Sequence, residues 1–436
     1  MADWEQAHWT SGIDSGVPRR DRRSGTYRRY VPDLLEAHPI TLDGALSQEM
    51  AVTELAVRSL SGPGADALAA IARFLLRSEA IASSRIEGLA PSPQQVALAE
   101  LGGQESVRGV SEQARLVANN MTVVRRASTE LVDAGEVTVD HIVDLHAALL
   151  PDEPRHHGLR SVQNWIGGSD WHPLDADFVP PDHESVPALM HDLVGYLNGA
   201  AHSPIVQAAL VHAQFETIHP FTDGNGRVGR ALIHTVLTRR GMTPTAVLPV
   251  SLVLATLRDA YIGGLTRYRY GEPATSQNAI AGIREWIATF ARAARLAAQE
   301  STELARQVQA LERDWRQRVA SYRSAHGVRE TPRADSATAR LLTLLPEAPV
   351  VTARTLQRIL GISFPAAASA LDELHNAGVL DTRSIERGTT AYLASEVLDL
   401  ISFTERRLAS TKFETRISPP RRPVPAAPAT EDQRRD

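Results

Sequence analysis

The twelve residues His219–Arg230, which read HPFTDGNGRVGR, decide how the rest of the chain is interpreted. They combine one imidazole, one carboxylate, three glycines and two guanidinium groups. The apolar residues that follow recur at helical spacing, so the glycines lie where a loop becomes a helix. Backbone N–H groups at a helix start are unpaired and carry the positive end of the helix dipole. Because glycines let a large anion approach that backbone, the stretch predicts a phosphate-binding site.

The side chains of this stretch suit the transfer of a nucleotidyl group, which needs a deprotonated hydroxyl, a neutralised phosphate and in-line geometry. His219 can act as the base, because imidazole has a neutral form at physiological pH. Asp223 offers a hard oxygen ligand for Mg²⁺, or alternatively a helix N-cap that would orient the same carboxylate. The backbone of Gly224-Asn225-Gly226 would hold the phosphates of a nucleotide. Arg227 and Arg230 each present a planar guanidinium that suits phosphate.

The same residues match the signature HxFx[D/E]GNGRxxR at every specified position. With them the chain resembles the Fic (filamentation induced by cAMP) family, whose members share an α-helical core and usually transfer AMP from ATP to a protein hydroxyl. The resemblance implies that His219 activates a Ser, Thr or Tyr hydroxyl of a target protein. It also implies that Asp223 binds Mg²⁺ and that Arg230 meets the γ-phosphate of ATP. Phe221, an apolar residue between these polar ones, is expected to point inward and anchor the loop.

A second motif, Ser83-Ser84-Arg85-Ile86-Glu87-Gly88, lies upstream at the end of a predicted helix. Serines and a glycine at such a place are typical of a helix cap. The hexapeptide also resembles the inhibitory motif of Fic proteins, [S/T]xxxE[G/N], with Ser83, Glu87 and Gly88 at the specified positions. Its place before the signature resembles the subclass with an N-terminal inhibitory helix. A Glu87 carboxylate set against Arg230 would occupy the guanidinium that the γ-phosphate needs, so we expect an autoinhibited enzyme.

Residues 158–181 predict the one β feature of a helical region. Residues 158–166 have the pattern of a short strand, Gly167–Asp170 has turn composition, and Phe178-Val179 would be the returning strand. Such a hairpin offers an open edge to which an extended peptide can add. In Fic proteins the corresponding segment resembles the flap that holds the target peptide. The flap residues would be Val162, Gln163, Asn164, Trp165 and Ile166. The alternative is a surface loop with a buried Trp165.

Residues 335–400 predict a winged helix-turn-helix, in which three helices precede two short strands. This order resembles the C-terminal appendage of many bacterial Fic proteins. Between residues 335 and 399 the chain has five arginines and eight acidic side chains, which is a poor match for a polyanion. We therefore expect a role in protein contact or dimerisation, and nucleic acid is not an expected partner.

The expected fold is mainly α: a Fic-type helical core with a β-hairpin flap, plus the C-terminal winged helix-turn-helix domain. The segments are 1–30, a flexible arginine-rich N-terminal arm; 31–110, a helical region carrying the inhibitory motif; 111–275, the Fic catalytic core; 276–334, a long helix and linker; 335–400, the winged helix-turn-helix; and 401–436, a helix end and a disordered tail.

The bulk properties of the 436 residues are those of a mildly acidic chain, with a formal net charge of −5. The absence of cysteine excludes disulfides, a thiolate metal site and a cysteine nucleophile. The sequence contains no apolar run of about 18 residues, so no membrane span is predicted. The first residues lack the pattern of a signal peptide. We therefore expect a cytoplasmic protein that does not contact a membrane.

The leading prediction is a protein adenylyltransferase that uses Mg²⁺ and ATP and modifies a hydroxyl side chain of a target protein, with this chain itself as one alternative target and a homodimer as a further partner. A second enzyme hypothesis is removal of AMP from a modified protein, with Glu87 positioning the water. A third is transfer from another donor, such as UTP, CDP-choline or phosphate. The non-enzyme alternative is a DNA-binding regulator that acts through residues 336–395.

Overall fold

A computed structural model describes residues 2–12, 15–36, 40–62, 65–103 and 105–410. The α-helices are α1 (Gly44–Arg58), α2 (Ala65–Ala69), α3 (Ala72–Ile86), α4 (Pro93–Gly102), α5 (Glu112–Ser128), α6 (Glu130–Asp133), α7 (Val139–Leu149), α8 (Val186–Asn198), α9 (Pro204–Ile218), α10 (Asn225–Arg239), α11 (Val250–Thr256), α12 (Arg258–Tyr268), α13 (Gln277–Ala325), α14 (Ala337–Leu344), α15 (Ala353–Leu360), α16 (Phe364–Asn376) and α17 (Ser395–Ser410). The strands are β1 (Asp3–Trp9), β2 (Gly25–Val31), β3 (Val350–Val351), β4 (Asp381–Glu386) and β5 (Thr389–Leu393). The predicted mainly helical fold is confirmed. The predicted disordered tail falls on residues 411–436, outside the described ranges.

Two consecutive helices, α9 and α10, form the centre of the fold. Every residue of α9 is buried, and so is α10 from Asn225 to Leu237. A helix that is buried all round must be enclosed by other helices, and α3, α5, α7, α8 and α13 surround this pair. The six residues that join the two helices, 219–224, therefore lie at the heart of the molecule.

The 49-residue helix α13 connects the core to the C-terminal part of the chain. At a rise of 1.5 Å per residue it is roughly 70 Å long. In its first half Trp286 donates Nε1–H to the Ala209 carbonyl of α9, at 2.8 Å. In its second half Trp315 donates to Glu396 of α17, at 2.7 Å. One rigid element thus contacts both parts of the protein.

Helices α14, α15 and α16 and a three-stranded antiparallel sheet, ordered β3-β5-β4, form the C-terminal unit. The turn between α15 and α16 begins at Gly361, whose φ of 63° ends the first helix. Ser363 then caps the second helix by accepting a hydrogen bond from the N–H of Ala366. The three helices and the strands β4 and β5 follow the order expected for residues 335–400, whereas strand β3, between α14 and α15, was not predicted. The winged-helix assignment stays a prediction.

The flexible arm predicted for residues 1–30 is wrong. Strands β1 and β2 pair along their length, with Trp4 opposite Tyr30. The rings of Trp4, Tyr30 and Phe178 pack together with centroids 5.0 to 6.3 Å apart. The N–H of Tyr30 donates to the Val179 carbonyl at 2.9 Å. Aromatic side chains at spaced positions attach this segment to the body, although its arginine content suggested a solvated arm.

The two-stranded hairpin predicted across residues 158–181 is also wrong. A single bridge joins Ile166 to Phe178, with hydrogen bonds of 2.8 and 3.2 Å between them. Gly167 and Gly168 both have positive φ, at 74° and 73°. A Cβ on Gly168 would lie 2.4 Å from the Asp175 carbonyl oxygen, so the turn needs this glycine. Inside the turn, Ser169 and His172 form a second isolated bridge, and a short 3-10 helix spans Pro173–Asp175. The rest of the segment is irregular with Trp165 partly buried, which is closer to the alternative interpretation.

Among the helices of the described ranges, none has the length and apolarity that a membrane crossing requires.

Candidate active site

His219 ends helix α9 in the left-handed conformation, with φ 51° and ψ 59°. Among the residues that the structure describes, it is the one non-glycine residue with positive φ. An L-residue pays about 1–2 kcal/mol for this conformation, so the surroundings must hold it. Pro220 follows and cannot continue the helix. The imidazole is 17% exposed and is therefore accessible at the end of α9.

Arg160 and Asn164 hold the backbone of the His219 loop. Arg160 is 4% exposed, and its guanidinium donates to the carbonyls of His219 and Ile218 at 3.0 and 3.4 Å. The Arg160 N–H donates to the Pro220 carbonyl at 2.8 Å. Asn164 donates through Nδ2 to the same His219 carbonyl at 3.2 Å and to the Phe221 carbonyl at 2.8 Å. These bonds fix the strained residue.

Arg160 was not predicted as a site residue, because no motif or spacing marks it before the fold is known. Asn164 was predicted to line a peptide flap, which stays a prediction, and its amide hydrogen-bonds the His219 loop. Burial lowers the pKa of the Arg160 guanidinium to about 10, against the opposing charge of Asp182. The side chain still carries its positive charge at neutral pH and makes charged hydrogen bonds, which are the stronger kind.

The imidazole of His219 is mostly buried, and cationic side chains lie near it. Burial, followed by the charge of Arg269, lowers the pKa of His219 to about 4. The neutral form, which can accept a proton, therefore dominates at physiological pH. The Nδ1 atom of His219 lies 4.0 Å from Oε2 of Glu216. Burial raises the pKa of Glu216 to about 7. Glu216 was also missed in the sequence, although it lies one helical turn before the histidine.

The loop after His219 is closed by its own side chains. Asn225 accepts from the Phe221 N–H and donates to the Phe221 carbonyl, both at 2.8 Å. The predicted inward position of Phe221 is confirmed, since its ring is fully buried and stacks on His146 at 3.9 Å. His146 in turn bonds the Asp223 carbonyl through Nε2, at 2.9 Å. Asn225 thus shapes the loop rather than pointing at a ligand.

Two glycines at the start of α10 leave room for neighbouring side chains. Gly224 is the N-cap, with φ 76°, and a Cβ there would lie 2.7 Å from Leu149. A Cβ on Gly226 would lie 2.0 Å from Oε1 of Glu87 and 2.8 Å from Nη1 of Arg230. At the start of α10, only backbone atoms therefore face the charged side chains of Glu87 and Arg230. This is the arrangement that an anion-binding helix start needs.

Asp223 lies beside this helix start with its side chain 55% exposed. Its Oδ1 accepts from the Gly224 N–H at 2.6 Å and lies 3.6 Å from Nη2 of Arg227. The alternative role of helix N-cap is wrong, because Gly224 takes that position. Within the described residues, no cluster of three or more His, Asp or Glu side chains is suited to a metal ion. Mg²⁺ that is bound mainly by phosphates and water needs only one or two carboxylates, so Asp223 fits it.

Arg227 is a buried cation, and not all N–H groups of its guanidinium donate hydrogen bonds. Its side chain is 5% exposed, and Nε and Nη1 have no hydrogen-bond partner in the described part of the chain. Burial lowers its pKa, an effect that Asp223 and Glu87 oppose. A buried donor without a partner costs about 1–3 kcal/mol. An anion at the start of α10 would supply the missing acceptors.

Arg230 is 1% exposed and is bound by two of the three predicted residues of the inhibitory motif, Ser83 and Glu87. It donates to the hydroxyl and the carbonyl of Ser83 at 2.9 and 2.8 Å. It also donates to Oε1 of Glu87 at 2.7 Å. Burial acts to raise the pKa of Glu87, but the charge and hydrogen bond of Arg230 outweigh it, and the pKa is lowered. The Glu87 carboxylate is therefore ionised and forms an ion pair with the Arg230 guanidinium.

The chain geometry after α3 explains how Glu87 reaches Arg230. Helix α3 ends at Ile86, and Gly88 adopts a φ of 83°. The N–H of Leu89 then donates back to the Ser84 carbonyl at 3.0 Å. This is a glycine-terminated helix end, as the cap interpretation of the motif predicts. It leaves Glu87 on the turn with 37% of its side chain exposed.

Comparison with known proteins supports a distant relationship for the central part of the chain. Residues 136–237 match the family model described as Fic/DOC family. Protein adenylyltransferase fic-1 of Caenorhabditis briggsae is 32% identical over 161 residues, which is 35% of this chain and 29% of the relative. The probable protein adenylyltransferase aq_aa38 of Aquifex aeolicus is 36% identical over 98 residues, covering 22% and 31% of the two chains. The match spans less than a third of each of these relatives.

One solved structure supports the fold. A Fic family protein from Desulfovibrio desulfuricans aligns over 81% of this chain and 97% of its own, with a TM-score of 0.50 and 22% identity. At that identity the likeness concerns the fold alone, which is a mainly helical Fic-like fold with small sheets. Residues 136–237 are thus similar to the Fic/DOC family and distantly homologous to protein adenylyltransferases.

Proposed function

We propose that this chain, with its Fic/DOC domain at residues 136–237, is a protein adenylyltransferase that Glu87 holds inactive. The enzyme would transfer AMP from Mg-ATP to a Ser, Thr or Tyr hydroxyl of a target protein. The observation that carries the proposal is the group of charged side chains around the start of α10. There Arg227 lacks acceptors for two of its nitrogens, Arg230 is held by a carboxylate, and the positive charges of both arginines act on Glu87.

The donor nucleotide would bind with its phosphates at the start of α10. The N–H groups that follow Gly224 are unpaired by helix geometry and carry partial positive charge. Arg227 would supply the two N–H groups that lack acceptors. Arg230 would meet the γ-phosphate once Glu87 has left. Asp223 is the residue that would hold Mg²⁺, which supplies neutralisation of phosphate charge when bound.

His219 would act as the general base. In the reaction its imidazole takes the proton of the target hydroxyl, whose oxygen attacks the α-phosphorus of ATP. The P–O bond to the β-phosphate breaks, and pyrophosphate leaves with that electron pair. A positioned base typically contributes about 10²- to 10⁴-fold to the rate. The neutral form of His219 is present for this step because burial and Arg269 lower its pKa.

Glu87 would inhibit by competition for Arg230. Its Oε1 lies 2.7 Å from Nη2 of Arg230, where a phosphate oxygen would otherwise bind. The same atom lies against Gly226 at the helix start. A carboxylate at this place repels a polyphosphate and removes its arginine partner. ATP could then bind only with its α-phosphate displaced from the line of attack.

The target peptide would bind along residues 162–166, as proposed from the resemblance. Val162 and Ile166 are 55% and 37% exposed, and the neighbouring Trp171 is 45% exposed. Exposed apolar side chains beside a loop are typical of a peptide-binding surface. The loop is attached to the His219 backbone through Arg160 and Asn164. A peptide bound here would therefore be held close to the base.

The C-terminal unit would serve as a winged helix-turn-helix used for protein contact, including a homodimer. Ile359 and Phe364, on either side of its helical turn, are 44% and 48% exposed. Apolar side chains at this place, with few basic ones, suit a protein surface better than DNA. Size-exclusion chromatography with light scattering on Phe364→Glu tests the dimer. A wild-type dimer that persists in this variant would place the interface elsewhere.

The proposed activity is tested with cell lysate and ATP labelled at the α-phosphate. The Glu87→Gly variant should label protein bands, and the double variant Glu87→Gly/His219→Ala should not. ATP labelled at the γ-phosphate is the matched control, because AMP transfer releases that label with pyrophosphate. Mass spectrometry of the labelled band identifies the added group. Labelling by γ-phosphate alone, or removal of AMP from a modified target without any transfer, would contradict the proposal.

A further inference from the structure

The inhibitory motif is in contact with the C-terminal helix of the described chain. We call residues 85–88 the inhibitory turn. Arg85 of this turn forms an ion pair with Glu405 of α17. The Glu405 side chain is 12% exposed, and the Arg85 side chain is 36% exposed. A carboxylate so far from water depends strongly on its cation, so the pair fixes the position of Arg85, two residues before Glu87.

Helix α17 is held firmly along its length, so it can fix the turn that it contacts. Leu408 is buried in a cluster with Ala82 of α3 and Leu252 of α11. Arg407 forms an ion pair with Glu300 in the middle of α13. At its other end Glu396 accepts from Arg318 and Trp315, both at 2.7 Å.

The same helix is continuous with the sheet of the C-terminal unit. Strand β5 ends at Leu393, and Ala394, which is fully buried, leads directly into α17. The Ala394 N–H donates to the Pro349 carbonyl at 2.8 Å, next to strand β3. A displacement of the sheet would therefore move α17 along with it.

The inhibitory turn is the part of α3 that can respond to such a movement. The body of α3 is fixed by Glu79, which is fully buried and bonds His234 and the Ser251 N–H at 3.0 and 2.8 Å. By contrast, Gly88 has open space around it, and Glu87 is partly exposed. Loss of the contact with α17 would free the turn while the helix stays in place.

We propose that α17 keeps the inhibitory turn closed, and that displacement of the C-terminal unit opens the site by releasing Arg85 and then Glu87. This regulatory role rests on the proposed inhibition of the site by Glu87. It gives the C-terminal unit a function in the same chain: a partner that pulls its sheet away from the core would activate the enzyme. The signal would pass from strand β5 through α17 to the turn.

The test is a charge reversal with its rescue. Glu405→Arg and Arg85→Glu should each raise AMP incorporation about three- to tenfold, a range that the coupling between contacting residues covers. The exchanged pair Arg85→Glu/Glu405→Arg should return the rate toward that of the wild type. In the Glu87→Gly background none of these changes should alter the rate by more than about twofold. Glu312→Arg, which breaks an ion pair with Arg316 within α13 at a similarly buried carboxylate, 17% exposed, is the control and should have no effect.

A second readout does not depend on catalysis. Hydrogen exchange of residues 85–89 should become faster in Glu405→Arg and return to the wild-type rate in the exchanged pair, while the body of α3 stays protected. Unchanged exchange at the turn in Glu405→Arg would overturn the inference, whatever the enzyme transfers. Equal activation by Glu405→Arg with and without Glu87 would also overturn it. Faster exchange in a chain that never transfers AMP would instead contradict the proposed function and leave the contact established.

Discussion

Replacing Arg160 with lysine should reduce catalysis without reducing nucleotide binding. Arg160 holds the carbonyls of His219 and Ile218 and also those of Val162 and Pro181. A lysine keeps the charge, but its single ammonium group cannot reach carbonyls that lie in several directions. Some of these buried carbonyls lose their donor, at about 1–3 kcal/mol each. His219 then relaxes from the left-handed conformation, which releases about 1–2 kcal/mol of strain.

The size of the loss in kcat follows from the lost hydrogen bonds and from the released strain of His219. Returning His219 to its catalytic position would cost about 2 kcal/mol, so kcat should fall roughly 30-fold. Stability should fall by about 2–3 kcal/mol, because several charged hydrogen bonds are lost. The KM for ATP should stay within about twofold, since Arg160 does not contact the proposed phosphate site.

The assay is AMP transfer by the Glu87→Gly variant with and without Arg160→Lys, together with the denaturant midpoint of each protein. Arg239→Lys is the matched control. Arg239 also donates to three carbonyls, those of Leu131, Ala134 and Gly135, at 2.7 to 3.2 Å. It lies at the far end of α10 from the site, so its variant should lose stability and keep kcat. A folded Arg160→Lys enzyme with full kcat, or an equal loss of kcat in Arg239→Lys, would refute the reasoning.

Three further predictions concern the site and its support. The kcat/KM of the Glu87→Gly enzyme should rise as the pH passes through the pKa of Glu216, because the ionised carboxylate makes His219 a stronger base. Burial raises this pKa to about 7 in the wild type, and loss of the Glu87 charge should move it downward in the variant. Glu216→Gln should remove this rise in the pH profile. Gly226→Ala should leave the enzyme inactive although its Cβ would displace the Glu87 carboxylate, because the same Cβ would block the helix start. Calorimetry should show ATP affinity reduced at least about tenfold. Trp4→Ala should destabilise the protein by about 2 kcal/mol through loss of its aromatic contacts, with proteolysis appearing first between residues 10 and 24; unchanged resistance to protease would contradict the packing described for β1.

Local chemistry made much of the site predictable. His219, Asp223 and the glycines lie within one short stretch, and their spacing alone indicates a loop that becomes a phosphate-binding helix start. Phe221 could be assigned inward because an apolar residue among polar ones has few other places to go. Helix α10 was predicted from the helical spacing of the apolar residues that follow the signature.

What could not be predicted depends on residues that are distant in sequence. Arg160 acts on His219 across 59 positions, and nothing local distinguishes it from a surface arginine. The contact of Glu87 with Arg230 was expected only from a resemblance, since 143 positions separate them. Strand pairing has the same difficulty: β1 and β2 were hidden by arginines, and the segment near Trp165 had strand composition but found no partner strand beyond Ile166.

The unbroken helix α13 places a restriction on how this chain can change in length. Each added residue turns everything beyond it by about 100° and shifts it by 1.5 Å. Trp286 is packed at one end and Trp315 at the other, both fully buried, so an insertion between them would turn one of these tryptophans toward solvent. Only insertions or deletions close to a whole number of helical turns keep both tryptophans facing the protein interior. The spacing between these two tryptophans is therefore a fixed dimension of the protein, and any chimera that exchanges the C-terminal unit must preserve it.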